Sequence, residues 1–439
     1  MIYSSKQERR KEFLGCISVF LFILCSPDTL LIGTNSNKMA TMIARYSPYL
    51  WALVMCAVYI IKGKRHLSRQ CVLVAVFLCL GFFLTLVLAP RQGNLMNAIS
   101  QCFAVLCGIL VVGHVSRKDF IRYFEKLMFF LATSSLICFG IAIFIPQIVK
   151  AAPVIVNTED MEFYCLGLSV VSKYSLVDTF FLRNFGIFRE PGVYQMFLNL
   201  ALCFYLFCDT GHLKRSIIRI VVYITAILTT TSTTGILSMV VLFLALFAQR
   251  SQENRRIKRT IFLICVAVTI FAFSGVSEQL LYSFTKLSDP YNDSTVSRFG
   301  SIYANLRILF EYPIWGIGTA EIGPRFAEYL SASESATHNT NTILYMYACY
   351  GMFTGSLFLV GVCKFMKKLS GDIIVQALLC LLMVLLLSGE NLSTSYYIYI
   401  LLMYGYVDDK ILKMECIYEN HLDKRMDYRK YRANYARMR

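Results

Sequence analysis

Long apolar runs punctuate the chain from end to end. They lie at about 13–32, 46–62, 70–89, 95–114, 125–149, 191–208, 215–230, 232–249, 260–277, 341–363, 371–388 and 393–407. Most match the roughly 20 residues a helix needs to cross about 30 Å of hydrocarbon. The runs are continuously apolar and lack the period-two alternation of barrel strands, so helices are the predicted spanning form. The pattern therefore predicts an all-α, polytopic integral membrane protein with about twelve transmembrane helices.

Polar segments between the runs are mostly short. Two are too long to be turns, at about 150–185 and 278–340. Long connections in a compact protein tend to carry function. Within the second, Val296, Phe299, Ile302, Tyr303, Leu306, Leu309 and Phe310 recur at helical spacing and predict an amphipathic helix over 294–310. Asp293 or Ser294 can cap it and Pro313 can stop it. Such a helix belongs at the lipid headgroup level. No internal repeat is apparent, so the chain reads as one membrane domain over 1–410 followed by a basic tail, 411–439.

Charge orients the spans. With the N-terminus inside, the inner segments hold 32 of the 43 Lys and Arg, the bias that the positive-inside rule requires. Both termini are then cytoplasmic, and both long segments face outward. The net charge of +16 comes from clusters between spans, such as Lys62, Lys64, Arg65 and Arg69, and from the tail. No zinc-ligand spacing or aromatic-interleaved basic sheet accompanies it, so nucleic acid is not an expected partner. Hydrophobic residues make up 57% of the 439 positions, more than one soluble core could bury, so lipid must cover much of the apolar surface. The 16 cysteines fall mostly within spans and form no C-x-x-C pair, so neither a disulfide framework nor a metal site is expected. The basic N-terminus and first apolar run read as a retained signal anchor.

Candidate chemistry gathers at outward span ends. Arg189-Glu190-Pro191-Gly192 leads into a span, where a charged pair near lipid is costly and often functional. The bland alternative is a snorkelling Arg with a helix-start Glu. Thr229 to Gly235 is a run of hydroxyls containing Thr233; it could bind sugar or phosphate oxygens, or pack helices as small residues do. Arg298 and Arg307 flank the stripe of the amphipathic helix. Gly316-x-Gly318 has no βαβ context and reads as a tight turn. His338 and Asn339 stand at a span entrance, and Asp28 and Glu390 at two other outward ends, where snorkelling or capping accounts for them.

In order and spacing, these strings resemble the O-antigen polymerase and O-antigen ligase superfamily of bacterial membrane proteins. The resemblance rests on Phe188 to Gly192, Thr231 to Gly235, Ser294 to Arg298, Pro313 to Gly318, and His338-Asn339. It implies a GT-C-like glycosyltransferase of the bacterial cytoplasmic (inner) membrane with its active site facing the periplasm or exterior. The implied donor is a polyprenyl-diphosphate-linked oligosaccharide, used by inverting transfer without metal or other cofactor. A flippase and a chain-length regulator are the protein partners that such an enzyme would meet.

Arginine suits a diphosphate leaving group, because its planar fork binds phosphate bidentately and stays charged. Arg189 and Arg298 are therefore assigned to the diphosphate, with Arg307 as a weaker third and Thr233 and Asn339 as further substrate contacts. The acceptor hydroxyl needs a base. His338 is preferred, and Glu190 is the alternative, or else the group that orients Arg189. The expected activity is polymerisation of repeat units into O-antigen, capsule or exopolysaccharide. The alternatives are ligase-type transfer of a finished glycan and, in another class, a lipid-linked glycan flippase. A transporter would place ionisable groups near mid-membrane, whereas here they concentrate at outward span ends and in the outer loops.

Overall fold

The computed structural model describes residues 15–62, 68–89, 95–177, 182–208, 216–249, 293–330 and 339–407, with short pieces at 13, 258–260 and 262–263. Most of the predicted span at 260–277, His338 and the basic tail lie outside the described residues.

The fold is predominantly helical. In chain order the helices are α1 (Gly15–Leu24), α2 (Lys38–Lys62), α3 (Arg69–Leu88), α4 (Leu95–His114), α5 (Arg117–Phe144), α6 (Pro146–Lys150), α7 (Lys173–Val177) and α8 (Pro191–Phe207). They continue with α9 (Ile217–Thr229), α10 (Thr233–Ala248), α11 (Asp293–Glu311), α12 (Ile322–Leu330), α13 (Thr342–Lys367), α14 (Ile373–Ser388) and α15 (Tyr396–Tyr406). Four of these, α3, α4, α5 and α13, are long and apolar enough to cross a membrane by length and composition, and α1, α8, α9, α10 and α14 are shorter apolar helices. Together they make a multi-pass membrane protein.

Two helices form the centre. Every residue of α8 and of α15 is buried, as expected of helices that are apolar all round. α8 packs on α5, α9 and α10, while α15 packs on α3, α4 and α13. Aromatic rings join the two groups: Tyr397 of α15 stacks on Phe124 of α5 at 4.5 Å and meets Phe197 of α8 at 5.3 Å. The outer helices turn large apolar side chains outward, among them Leu53, Leu73, Phe130, Ile137, Leu244 and Ile374. Apolar surface of that extent suits lipid.

One ion pair lies inside the bundle. Arg219 of α9 donates from Nη1 to both carboxylate oxygens of Glu125 on α5, each at 2.8 Å, and its guanidinium sits 4.5 Å from the Phe129 ring. The Tyr223 hydroxyl donates to the Glu125 backbone carbonyl and carboxylate. Glu125 is fully buried, so these donors are what make its burial tolerable.

The structure departs from the sequence-derived elements in three places. The first apolar run is helical only to Leu24; Ser26 and Pro27 break it, and residues 25–34 fold as turns. The segment after α5 holds a three-stranded antiparallel sheet, β1 (Val154–Val156), β2 (Glu162–Cys165) and β3 (Val170–Ser172), with Val154 opposite Tyr164 and Phe163 opposite Ser172. Its strands are β-branched and aromatic but only three or four residues long, too short for periodicity to announce them. The third departure is a break in α13 at Gly351, where φ is 77°.

The Gly316-x-Gly318 turn fills that break. Ile317 and Gly318 donate backbone N–H groups to the carbonyls of Ala348 and Cys349 at 2.9 and 3.0 Å, and Met352 donates to Pro313 at 2.8 Å. Backbone groups released by a broken span must find partners within the protein, and the turn supplies them. Gly316 and Gly318 have φ of 73° and 86°, a conformation that side chains disfavour.

Candidate functional site

A cavity of about 620 Å³ lies where the connections α1–α2, β1–β2, the approach to α8, α11, the start of α13 and the α14–α15 turn converge. Its lining includes Asp28, Glu159, Arg189, Glu190, Arg298, Asn339, Tyr345 and Glu390. Residues from the beginning, middle and end of the chain thus form one site.

Backbone pairing builds its floor. Thr29 bridges Phe188, Leu30 donates to the Ile187 carbonyl at 2.9 Å, and Arg189 donates its N–H to the Asp28 carbonyl at 3.1 Å. The turn between β1 and β2 is tied to the same connection, with Asn35 bridging Asn157 and Thr158 donating to Thr34 at 3.0 Å. This places Asn157, Thr158, Glu159 and Met161 along the cavity.

The Arg189 guanidinium is held from two sides. Nη1 donates to Glu190 Oε1 at 3.1 Å and Nη2 to the Asn391 carbonyl at 3.2 Å. Burial pulls its pKa down, but the surrounding carboxylates of Glu190, Glu390, Asp28 and Glu159 outweigh it and raise the value. Arg298 projects from α11 into the same lining. Burial lowers its pKa, opposed by Glu390 and Glu190; an arginine stays charged even so.

Pro191 occupies the first turn of α8, where its missing N–H costs nothing. Gly192 follows because Glu390 lies against it: a Cβ there would sit 1.8 Å from Glu390 Oε1. Glu390 is 8% exposed. Its backbone carbonyl accepts from the Thr342 hydroxyl at 2.5 Å, which locks the α14–α15 turn to the start of α13. Burial and the nearby Glu190 charge push its pKa well above the ordinary value, and its side chain hydrogen-bonds to Glu190.

Asp28 is buried too. Its Oδ2 accepts from the hydroxyls of Ser26 and Ser395, each at 2.5 Å. Burial raises its pKa, and the two hydroxyls and Arg189 work against that. Arg183 stands behind the wall, donating from Nε to the Thr230 carbonyl at 3.0 Å and interacting with Glu390, Glu190 and Arg298.

Asn339 is fixed by a reciprocal amide pair with Asn305 of α11, at 3.0 and 2.9 Å, and Thr340 N–H donates to Ser301 Oγ at 3.0 Å. α11 therefore packs inward through Ser301, Ala304, Asn305 and Ile308, and leaves Phe299, Tyr303 and Phe310 exposed.

Of the sequence-derived candidates, Arg189, Glu190, Arg298 and Asn339 meet in the cavity. Arg307 does not. It follows Arg298 by nine residues, about two and a half turns, so it points the other way. There it pairs with Glu311 at 3.7 Å and lies 4.3 Å from the Tyr329 ring. Thr233 is buried at the start of α10, outside the lining. Nearby, Gly235 meets Gln195 of α8 and offers its carbonyl to Asn199 at 3.2 Å, so this end of the hydroxyl run packs helices. The lining brings in Asp28 and Glu390, which as lone acids at span ends read as caps. Among the described residues, no group of three His, Cys, Asp or Glu side chains is arranged to hold a metal ion.

Residues 218–359 match the family described as O-antigen ligase. No curated protein matches the chain. The match bears out the resemblance to the O-antigen polymerase and ligase superfamily. It runs from α9 into α13, so Arg298, Asn339 and Tyr345 fall inside the O-antigen ligase stretch. Arg189, Glu190, Asp28 and Glu390 lie outside it, and the cavity joins them to it.

Proposed function

We propose that the protein is a glycosyltransferase that joins polyprenyl-diphosphate-linked oligosaccharide repeat units into a surface polysaccharide. The observation that carries this reading is the convergence on one cavity of Arg189 and of Arg298, the latter within the stretch that matches the O-antigen ligase family.

The acceptor hydroxyl oxygen attacks the anomeric carbon of the donor sugar. As that bond forms, the bond from carbon to diphosphate oxygen breaks and its electron pair leaves on the phosphate. Arg189 and Arg298 meet the growing negative charge. Preorganised donors aimed at developing charge contribute about 3–4 kcal/mol each to barrier lowering in other enzymes. His338 or Glu190 takes the hydroxyl proton. The Arg189–Glu190 contact supports the orienting role for Glu190, and His338 directly precedes Asn339 of the lining.

The inverting, metal-independent course and a GT-C-like arrangement of about twelve spans belong to the same proposal. So does placement in the cytoplasmic membrane of a bacterium with the cavity outward. The exposed Phe299, Tyr303 and Phe310 of α11 suit an interfacial helix at that face. The description of the matched family favours a second reading, transfer of a finished glycan to an acceptor.

Surface glycan from a deletion strain, resolved by size, separates these readings. A single repeat unit on its normal carrier identifies a polymerase, and full-length chains accumulating on the lipid carrier identify a ligase. An unchanged ladder overturns both and returns the flippase. Arg189→Ala and Arg298→Ala should each abolish the product while the protein stays folded in the membrane.

A further inference from the structure

Two carboxyls face each other in the cavity wall under unequal conditions. Glu190 is half-exposed, with 45% of its side chain accessible, and is paired with Arg189. Glu390 is sealed behind it, 8% exposed, against the bare Cα of Gly192. Two carboxyls in hydrogen-bonding contact cannot both ionise cheaply, so one keeps a proton. Burial determines which: Glu390, sealed behind Glu190, is the one that stays an acid.

The groups around Glu390 decide what that proton does. Glu190 and Arg189 come from the approach to α8, Arg183 from the same segment, and Arg298 from α11. Tyr345 of α13 shares the lining, and Asp28 stands beside Arg189. Arg183, Arg189 and Arg298 then meet Asp28, Glu159 and Glu190, three charges against three, and the wall turns net anionic once Glu390 ionises.

We propose that Glu390 is a positioning residue for the donor diphosphate. As a neutral acid it donates a hydrogen bond to Glu190, which holds Arg189, and its lack of charge leaves Arg189 and Arg298 available to the anion. This rests on the glycosyl-transfer reading above. It adds to that reading a proton that must be present for the donor to bind. Ionising Glu390 places a further negative charge among the arginines and drives the two carboxylates apart.

The test is binding of a short-chain prenyl diphosphate to the purified full-length protein in nanodiscs, measured between about pH 6 and about pH 9. Wild-type affinity should fall relative to Glu390→Gln as pH rises, by about tenfold per pH unit once Glu390 titrates. The amide keeps a donor toward Glu190 and cannot ionise. Calorimetry in buffers of different ionisation enthalpy provides a second readout: proton uptake on binding to wild type at the alkaline end, and none attributable to this site in Glu390→Gln. Parallel pH profiles for the two proteins, with equal proton uptake, overturn the proposal. If Arg189→Ala and Arg298→Ala meanwhile lose binding, the glycosyl-transfer reading survives that failure. If those variants bind the probe as wild type does, the donor-site reading falls and the role of Glu390 falls with it.

Discussion

Glu390 Oε1 occupies the place a side chain on Gly192 would take, 1.8 Å from where its Cβ would stand. The close approach ties the α14–α15 turn to the first turn of α8, and it gives the Arg-Glu-Pro-Gly string a physical reason for its glycine. Gly192→Ala should displace the Glu390 carboxyl and cost about 1–3 kcal/mol, the usual penalty for overpacking. Thermal unfolding in detergent checks the loss. Adding Glu390→Ala to the same chain should restore part of it, because the clash is removed.

The two helix-borne arginines should part company in a polymer assay. Arg298 lines the cavity and Arg307 does not. Arg298→Ala should lower turnover by roughly 100-fold or more. Arg307→Ala, which removes an exposed pair with Glu311, should change it by no more than a few fold. Equal losses from both would show that α11 presents its other face to substrate.

Arg189→Lys tests the fork rather than the charge. The guanidinium reaches Glu190 and the Asn391 carbonyl at once, and an ammonium on a flexible stem cannot reproduce that geometry. Turnover should fall nearly as far as in Arg189→Ala, with the protein equally abundant in the membrane by immunoblot.

Gly351→Ala should damage the fold before the site. The residue's φ is 77°, and an added Cβ would lie 2.0 Å from the Ile314 carbonyl oxygen. The cost should exceed about 2 kcal/mol, from positive-φ strain plus the loss of the docked turn. A lowered thermal midpoint and protease cleavage near 313–318 would report it.

Stability should depend on pH through Glu390. Its pKa in the folded protein lies well above the ordinary 4.5, so the folded state holds a proton that the unfolded chain has released. More protons bound in the folded state means stability falls as pH rises. The contribution is full below 4.5 and is lost progressively as pH climbs toward the raised value. Glu390→Gln cannot ionise, so its thermal midpoint should decline less than the wild type's over that window.

Much of this was legible in the chain, because hydropathy records where lipid meets water. Runs such as 95–114 coincide with helix α4, and both Arg189, stranded at a run end, and Arg298, on the amphipathic helix between runs, reached the cavity. Asp28 and Glu390 escaped because a single acid at a helix end is what capping produces; only the meeting of the α1–α2 connection and the α14–α15 turn at the start of α8 places them in one cavity. The sheet at 154–172 escaped because three-residue strands carry no period. The hydroxyl run offered both packing and binding, and the Gly235–Gln195 contact accounts for its inner end by packing.

The backbone bridge between Thr29 and Phe188 has a consequence for biogenesis. A membrane chain is threaded from its N-terminus, and the connection carrying Asp28 must wait for a partner about 160 residues behind it. Glu390 arrives later still, just ahead of α15. A nascent chain therefore lacks a complete cavity wall until the α14–α15 turn is in place.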